Sequence, residues 1–589
     1  MTDQVIDQTN AHWLKIWPEA TQLWSPFVKL QDPILCAQSE HEQKEGLSKS
    51  FAMIRFTDHR VVISMRQIKE QGLEDYALEI LAHEVGHHFQ YPANLRDYGQ
   101  VLFRVKKVLD RHAQYAPLIL NLYTDLLINN RLFRLNKLRM DEVYRALKNP
   151  ENTDSVWNLY LRIYERLWQL PKSFLGNALS PEMELEADIG ARIIRIYAQD
   201  WKKGAVRFAL LFQHHFDQYN EEKSIQIGPW MDIHGVDGGD VPPDGLSHLE
   251  AEQDDLTHPF DDDSLMGNVH DSTELMGDQD SKLNAASRDG HGLPDQRKVN
   301  ALGPAEYIQL LKDIGVRGNP KDWVVQYYKE QARPLMISFP GKLQSRSADP
   351  LPESLDVWDP GSPMVQIDWM ESLFRSPHVI PGVTTVERVY GVSQGGEPEV
   401  KPPDVYIGVD CSGSMANPAS RTSYPALAGA VILLSALRAG ARAMVCLSGE
   451  FTDHGSFKET DGFMRNEKEL MRTLTDYLGT GSYYSPRHLV RTFLKEAHQY
   501  RDTHVLVVSD TDLFHGVDQI ENGWALMAQV AQDCGSGATA VLNLGQHGRD
   551  RNKEYIQKFH DVGWDVAIVS SEPELLKFAR EFSQKTYEE

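Results

Sequence analysis

From Asp404 onward, short apolar runs alternate with longer helical segments, and this rhythm restricts the fold more than any other feature of the sequence. DVYIGVD, RAMVCLSG, HVLVVSD, ATAVLNLG and DVAIVSS are strand-length and mostly apolar. Between and after them run YPALAGAVILLSALRAG, EKELMRTLTDYL, SPRHLVRTFLKEAHQY and PELLKFAREFSQ, which read as helices. Buried strands that alternate with helices predict an α/β unit, a doubly wound parallel sheet covered on both faces. Such sheets gather ligands beyond the carboxyl ends of their strands. The first strand ends in Asp410-Cys411-Ser412-Gly413-Ser414. A carboxylate and two hydroxyls on one turn suit a hard cation such as Mg²⁺, which takes oxygen ligands in an octahedral shell and keeps waters. Asp and Ser also favour turns and helix caps. The strand before the turn and the helix after it give the metal reading its weight.

In this setting the DxSxS turn resembles the metal-ion-dependent adhesion site (MIDAS) of von Willebrand factor A (VWA) domains. The resemblance implies that a threonine on a second loop and an aspartate after a later strand complete the magnesium site. The matching positions are Thr480 in LGTGS and Asp510 in VVSD, beside Asp410, Ser412 and Ser414. Asp510 is followed by Thr511-Asp512 instead of glycine, a departure that leaves Asp512 either as a substitute ligand or as a residue supporting the ligands from behind. In that family a partner's carboxylate often fills the open coordination position, so the resemblance implies a protein partner presenting Asp or Glu. An acidic stretch within the same chain is the alternative occupant.

The second chemical signal is His83-Glu84-Val85-Gly86-His87, within ALEILAHEVGHHFQ. Residues four apart share a helix face, so His83 and His87 can hold one Zn²⁺ while Glu84 lies beside a metal-bound water. Zinc lowers the pKa of that water toward ~7, and the glutamate accepts its proton as general base. With a hairpin before the helix, the segment resembles zincin peptidases. A zincin needs a third protein ligand, and two positions offer one. Asp125 lies in PLILNLYTDLLINNRLF, an apolar helix where a buried carboxylate is costly unless paired or metal-bound. Asn121 and Asn129 flank it at four-residue spacing, and the stretch resembles the Asn-x-x-x-Asp-x-x-x-Asn helix of bacterial metallopeptidases coupled to VWA domains. Glu184, in SPEMELEADIGARIIRIYA, instead resembles the ExxAD helix of gluzincins with Asp188 as orienting residue, although an acidic first turn also answers the helix dipole. Asp125 is favoured and Glu184 stays open. His88 reads as a packing residue.

At 589 residues the chain exceeds one core. The expected layout is a mainly helical α+β zincin-like domain over 1–235, an acidic disordered linker over 236–300, a helical and Pro-rich connecting segment over 301–400, and the VWA domain over 401–589. In the first domain, Phe51 to Phe56 and Arg60 to Met65 form a hairpin. Helices are expected over Glu74 to Gln90, Pro117 to Leu135, Ser155 to Gln169, Pro181 to Tyr197 and Ala205 to Tyr219, and later over Gly303 to Gly315 and Asp322 to Ala332. Between Val236 and Arg297 there are 16 acidic residues against 3 basic, without helical or strand period. That is the composition of a disordered linker.

The net charge of −24 opposes nucleic acid and anionic membranes. No run approaches the ~20 apolar residues a bilayer span needs, and the amino terminus carries no secretory pattern. Four scattered cysteines without CxxC spacing fit a reducing compartment. A cytoplasmic location is expected. No phosphate loop, GxSxG or Cys/His nucleophile pair is present.

These features predict a zinc metallopeptidase acting on protein, joined to a VWA domain that recruits partners. The whole is similar to bacterial proteins that work beside MoxR-type AAA ATPases, which implies such an ATPase as partner. Two rivals remain: a non-catalytic adaptor for the ATPase, and a metal-insertion or cofactor-assembly chaperone.

Overall fold

The computed structural model describes residues 3–27, 29–47, 50–55, 58–148, 151, 153–217, 239–266, 301–344, 350–392, 399–449, 456–479, 481, 483–495, 502–544 and 546–584. They form two compact units, Met1–Glu330 and Gln331–Glu589.

The first unit is mainly helical, with one small sheet. Helix α1 (Asp3–Gln22) comes first, followed by strands β1 (Ile34–Cys36), β2 (Ala52–Arg55) and β3 (Arg60–Ser64) in the order β1-β3-β2. The expected hairpin is the antiparallel β2-β3 pair, and β1 adds to the other side of β3 in parallel. Residues 56–57 of the hairpin lie outside the described residues. Six long helices follow: α2 (Ala77–Phe89), α3 (Leu95–Leu109), α4 (Ala116–Arg134), α5 (Ser155–Trp168), α6 (Pro181–Ile196) and α7 (Trp201–Phe212). Their starts are chemically marked. The side chains of Asn94, Asp154 and Ser180 accept backbone N–H bonds at the heads of α3, α5 and α6, and Pro occupies the first turn of α4 and α6. Helix α4 is buried on every side from Leu118 to Asn129, as a nearly all-apolar helix must be. Helices α1 and α3 were not expected. Yet α3 carries Tyr98, Val101, Leu102, Val105, Val108 and Leu109 on one buried face, a legible helical period.

The acidic stretch departs from expectation. Over residues 239–266 it is a chain of short helical turns, Leu246–His248, Gln253–Leu256, Pro259–Asp261 and Asp263–Met266, seated on the first unit with Leu246 and Leu265 fully buried. The physical reason is paired charge. Arg207, only 1% exposed, bonds Asp262 at 2.8 Å and Asp254 at 3.0 Å, and Arg104 bonds Asp255. The expected disordered linker therefore does not hold for these residues, and 267–300 lie outside the described residues. The two helices after it, Pro304–Asp313 and Pro320–Ala332, form as predicted. The first unit runs to Glu330, so the expected boundary near 300 also moves. Lys106 and Lys107 of α3 pair with Asp313 and Glu306 of the earlier helix.

The second unit holds a six-stranded sheet: β4 (Asp404–Asp410), β5 (Ala443–Gly449), β6 (Ser456–Glu459), β7 (Thr503–Ser509), β8 (Gly535–Leu542) and β9 (Trp564–Ile568), in the order β6-β5-β4-β7-β8-β9. Five strands are parallel and match the five expected runs. The unexpected β6 is an antiparallel edge on β5. Every residue of β4, β5 and β7 is buried, which requires cover on both faces. The helices supplying it include α8 (Tyr424–Ala439), α9 (Glu467–Leu474), α10 (Gly523–Asp533), α11 (Lys553–Asp561) and α12 (Glu572–Ser583). The chain winds outward from β4 through β5 and β6, then returns to start the other half at β7. The carboxyl ends of β4 and β7 thus flank the point where strand order reverses, the usual place for a ligand. Among the described residues, no helix is long and apolar enough to cross a membrane.

Candidate metal centres

In the first unit, His83, His87 and Asp125 each bring one ligand atom into a single buried cluster. Helix α2 supplies the two histidines one turn apart, with rings 4.9 Å apart at 89°. Helix α4 supplies the carboxylate, whose Oδ1 lies 3.7 Å from His83 Nε2 and 3.3 Å from His87 Nε2. Tetrahedral zinc with arms of ~2.0–2.1 Å spaces its donor atoms about 3.3–3.4 Å apart, so these separations fit. Gly86 permits the approach of α2 to its neighbours. A Cβ there would meet Ile128 of α4 at 2.7 Å and Trp24 at 2.6 Å, and the Trp24 indole N–H bonds the Ala82 carbonyl.

The surroundings fix which nitrogen of each ring carries the proton. Asn129 donates its amide hydrogens to Tyr144 Oη at 3.0 Å and Tyr164 Oη at 2.9 Å, so its Oδ1 is the atom facing His83 Nδ1 at 2.7 Å. That oxygen only accepts, so His83 Nδ1 carries the hydrogen. His87 Nδ1 likewise faces the Tyr91 carbonyl at 2.7 Å. In neutral imidazoles held this way, both Nε2 lone pairs turn toward Asp125 Oδ1, while Asn121 Nδ2 donates to the other oxygen of Asp125 at 2.9 Å. Three acceptors converging in a dry site are a cation's ligand set. Behind Asn129, the hydroxyls of Tyr144, Tyr160 and Tyr164 bond one another at 2.9–3.0 Å and hold the amide in place. Sequence reading did not find this tyrosine triangle, whose members come from two helices.

Glu184 is placed elsewhere. Its carboxylate bonds Arg162 at 2.9 Å and Arg166 at 3.0 Å. Burial alone would raise its pKa, but those arginines and Lys172 outweigh it and hold it below the ordinary carboxylate value. Asp188 bonds Arg166 at 2.9 Å. Glu184 is an ion-pair residue of the α5-α6 packing, not part of the His83-His87-Asp125 group. His88 packs against His59, ring centroids 4.4 Å apart, and burial lowers its pKa.

In the second unit, Asp410 ends β4 and Asp510 follows β7, with Val409 paired to Val508 in the register. Asp410 is buried. Its Oδ1 accepts the Ser412 N–H at 2.8 Å and its Oδ2 accepts the Ser509 hydroxyl at 2.5 Å. Ser412 and Ser414 face each other hydroxyl to hydroxyl at 3.0 Å, Ser414 on the exposed side. Asp510 accepts the Asp512 N–H at 2.9 Å. Burial and then the Asp510 charge push the Asp410 carboxyl up to about 6, against the bonds from Ser509 and Ser412. Two carboxylates and two hydroxyls at the mouth of the sheet are a hard-cation donor set. Thr480 lies outside the described residues. The Gly479 N–H before it bonds the Cys411 carbonyl at 3.1 Å, and Tyr477 Oη bonds the carbonyls of Ser412 and Met415, so that loop clasps the Asp410-Ser414 turn. Ser509 and Tyr477 were missed in the sequence, where a lone serine or tyrosine carries no signal.

No protein-family model matches the chain, and comparison with curated proteins and with solved structures finds no similar protein.

Proposed function

We propose that the chain is a zinc-dependent peptidase of the HExxH kind, joined to a VWA domain that binds protein partners through a magnesium MIDAS and works in the cytoplasm beside a MoxR-type AAA ATPase. One observation carries the enzymatic part: two histidines whose Nδ1 atoms are fixed by acceptors turn Nε2 toward one Asp125 oxygen, 3.3 and 3.7 Å away. His83, His87 and Asp125 would hold the zinc, which supplies Lewis acidity and an acidified water when bound. Glu84, buried on the same helix next to His83, takes and returns a proton as general base. Asn129 and the Tyr91 carbonyl keep both imidazoles in the binding tautomer. In the second unit Asp410, Ser412, Ser414, Thr480 and Asp510 would hold magnesium and leave a position for a partner's carboxylate.

A second reading, the non-catalytic adaptor, is favoured by burial. His83 is 6% exposed, Glu84 1%, and His87 and Asp125 not at all. Catalytic zinc needs an open coordination position, whereas a structural zinc is closed. Glu84→Gln separates the two. For the peptidase, the variant keeps its zinc and its fold and loses roughly 10²–10⁴-fold in hydrolysis of a protein substrate. Unchanged hydrolysis removes Glu84 as base, and a wild type that binds zinc but cleaves nothing supports the adaptor.

A further inference from the structure

A second group of metal-binding side chains lies in the first unit, apart from the HExxH cluster. Glu186 of α6 faces His214 and His215, which sit in the single turn Gln213–Asp217 that continues α7. Adjacent residues on a helix point about 100° apart and do not normally meet on one partner. Here they do. His214 Nε2 lies 3.1 Å from Glu186 Oε1 and His215 Nε2 lies 2.8 Å from Oε2, one ring for each carboxylate oxygen. The rings are 4.0 Å apart and tilted by 38°, both turned toward the Glu186 carboxylate.

We propose that Glu186, His214 and His215 form a second zinc-type site that ties the end of α7 to α6. Two imidazole nitrogens and one carboxylate are a borderline-soft donor set, which selects zinc over magnesium or calcium. Donor separations of 2.8 and 3.1 Å fall a few tenths of an ångström short of the roughly 3.3 Å edge of a zinc tetrahedron, so a small opening admits the ion. Burial differs across the group in the way such a site requires. Glu186 and His215 are buried, the His215 ring beside Phe212, while His214 is about half exposed and gives the ion its entry path and a water its coordination position. The alternative is a carboxylate shared by two histidines, one of them protonated, with no affinity for metal.

Zinc titration of the metal-stripped full-length chain, by calorimetry at about pH 7.5, decides between them. His214 is the side chain to change, because its exposure makes His214→Ala safe for the fold. The wild type should bind two equivalents and His214→Ala one. His83→Ala should retain one equivalent and its zinc-induced rise in Tm, and the double variant should lose both. If His214→Ala binds as much zinc as the wild type, with unchanged affinity, the site is only an ion pair and the proposal is wrong. Should His83→Ala fail to fold, the comparison of wild type with His214→Ala still decides. Binding lost in His214→Ala but unchanged in His83→Ala would instead sink the HExxH site and leave this one standing.

Discussion

At the scale of single residues, the zinc reading depends on groups that never touch the metal. Asn129 has both amide hydrogens engaged by tyrosine hydroxyls, so only its oxygen can face His83. Asn129→Ala removes that acceptor, frees the ring to take the other tautomer and should weaken zinc about 10–100-fold, the usual effect of losing a ligand's hydrogen-bond partner. Competition with a chromophoric chelator measures this directly, and affinity within twofold of wild type would show that the tyrosine-amide network does not orient His83. The helical period marked His83, Glu84 and His87, and an isolated carboxylate in an apolar helix marked Asp125. The sequence favoured Asp125 but left Glu184 open, because its placement turns on Arg162 and Arg166, whose pairing with Glu184 depends on how α5 packs against α6. The same limit hid Tyr144, Tyr160 and Tyr164, ordinary core aromatics until their hydroxyls are seen to meet.

At the scale of elements, sequence period revealed the five parallel strands of the large sheet and many helices, while composition misled over the acidic stretch. Low hydrophobicity and high charge imply disorder only when the charges have no fixed partners. Here Arg207 and Arg104, on helices far away in sequence, supply them. Burial raises the Asp262 carboxyl, but bonds from Arg207, Tyr197 and Ser264 outweigh it and hold the pKa at about 2. A carboxyl whose pKa is depressed by folding stabilises the native state above its unfolded pKa of ~3.9, and that stability is lost as pH falls toward 2. Asp262→Ala should therefore lower stability at neutral pH by roughly 3 kcal/mol, since it removes the more buried of the two carboxylates that pair with Arg207 and leaves only Asp254. It should also flatten the acid dependence between about pH 4 and 2. Urea midpoints at neutral and acid pH test both effects. A neutral-pH loss under about 0.5 kcal/mol would mean that the turns 239–266 are not anchored by this pair.

At the scale of the whole molecule, the two candidate centres draw on separate residues. The ligands and orienting groups of the first come from residues 83–164 of one compact unit, and those of the second from residues 410–512 of the other. Changes at sites built from separate residues tend to be additive. Asp410→Ala should accordingly abolish magnesium binding, leave the zinc content of the first unit unchanged and leave hydrolysis of a free unfolded protein within about twofold of wild type. His83→Ala should do the converse, losing the HExxH zinc and keeping magnesium. If the second unit serves to recruit, as proposed, Asp410→Ala should lose only hydrolysis of substrate delivered through the ATPase, because delivery would need the Asp410 site and cleavage would not. Elemental analysis of both variants, with hydrolysis measured with and without the ATPase, reads all of these quantities. Zinc lost from Asp410→Ala, or free-substrate hydrolysis falling with it, would mean that the second unit acts on the zinc centre itself. The Asp410 site would then be a regulator of the proposed peptidase in place of a tether.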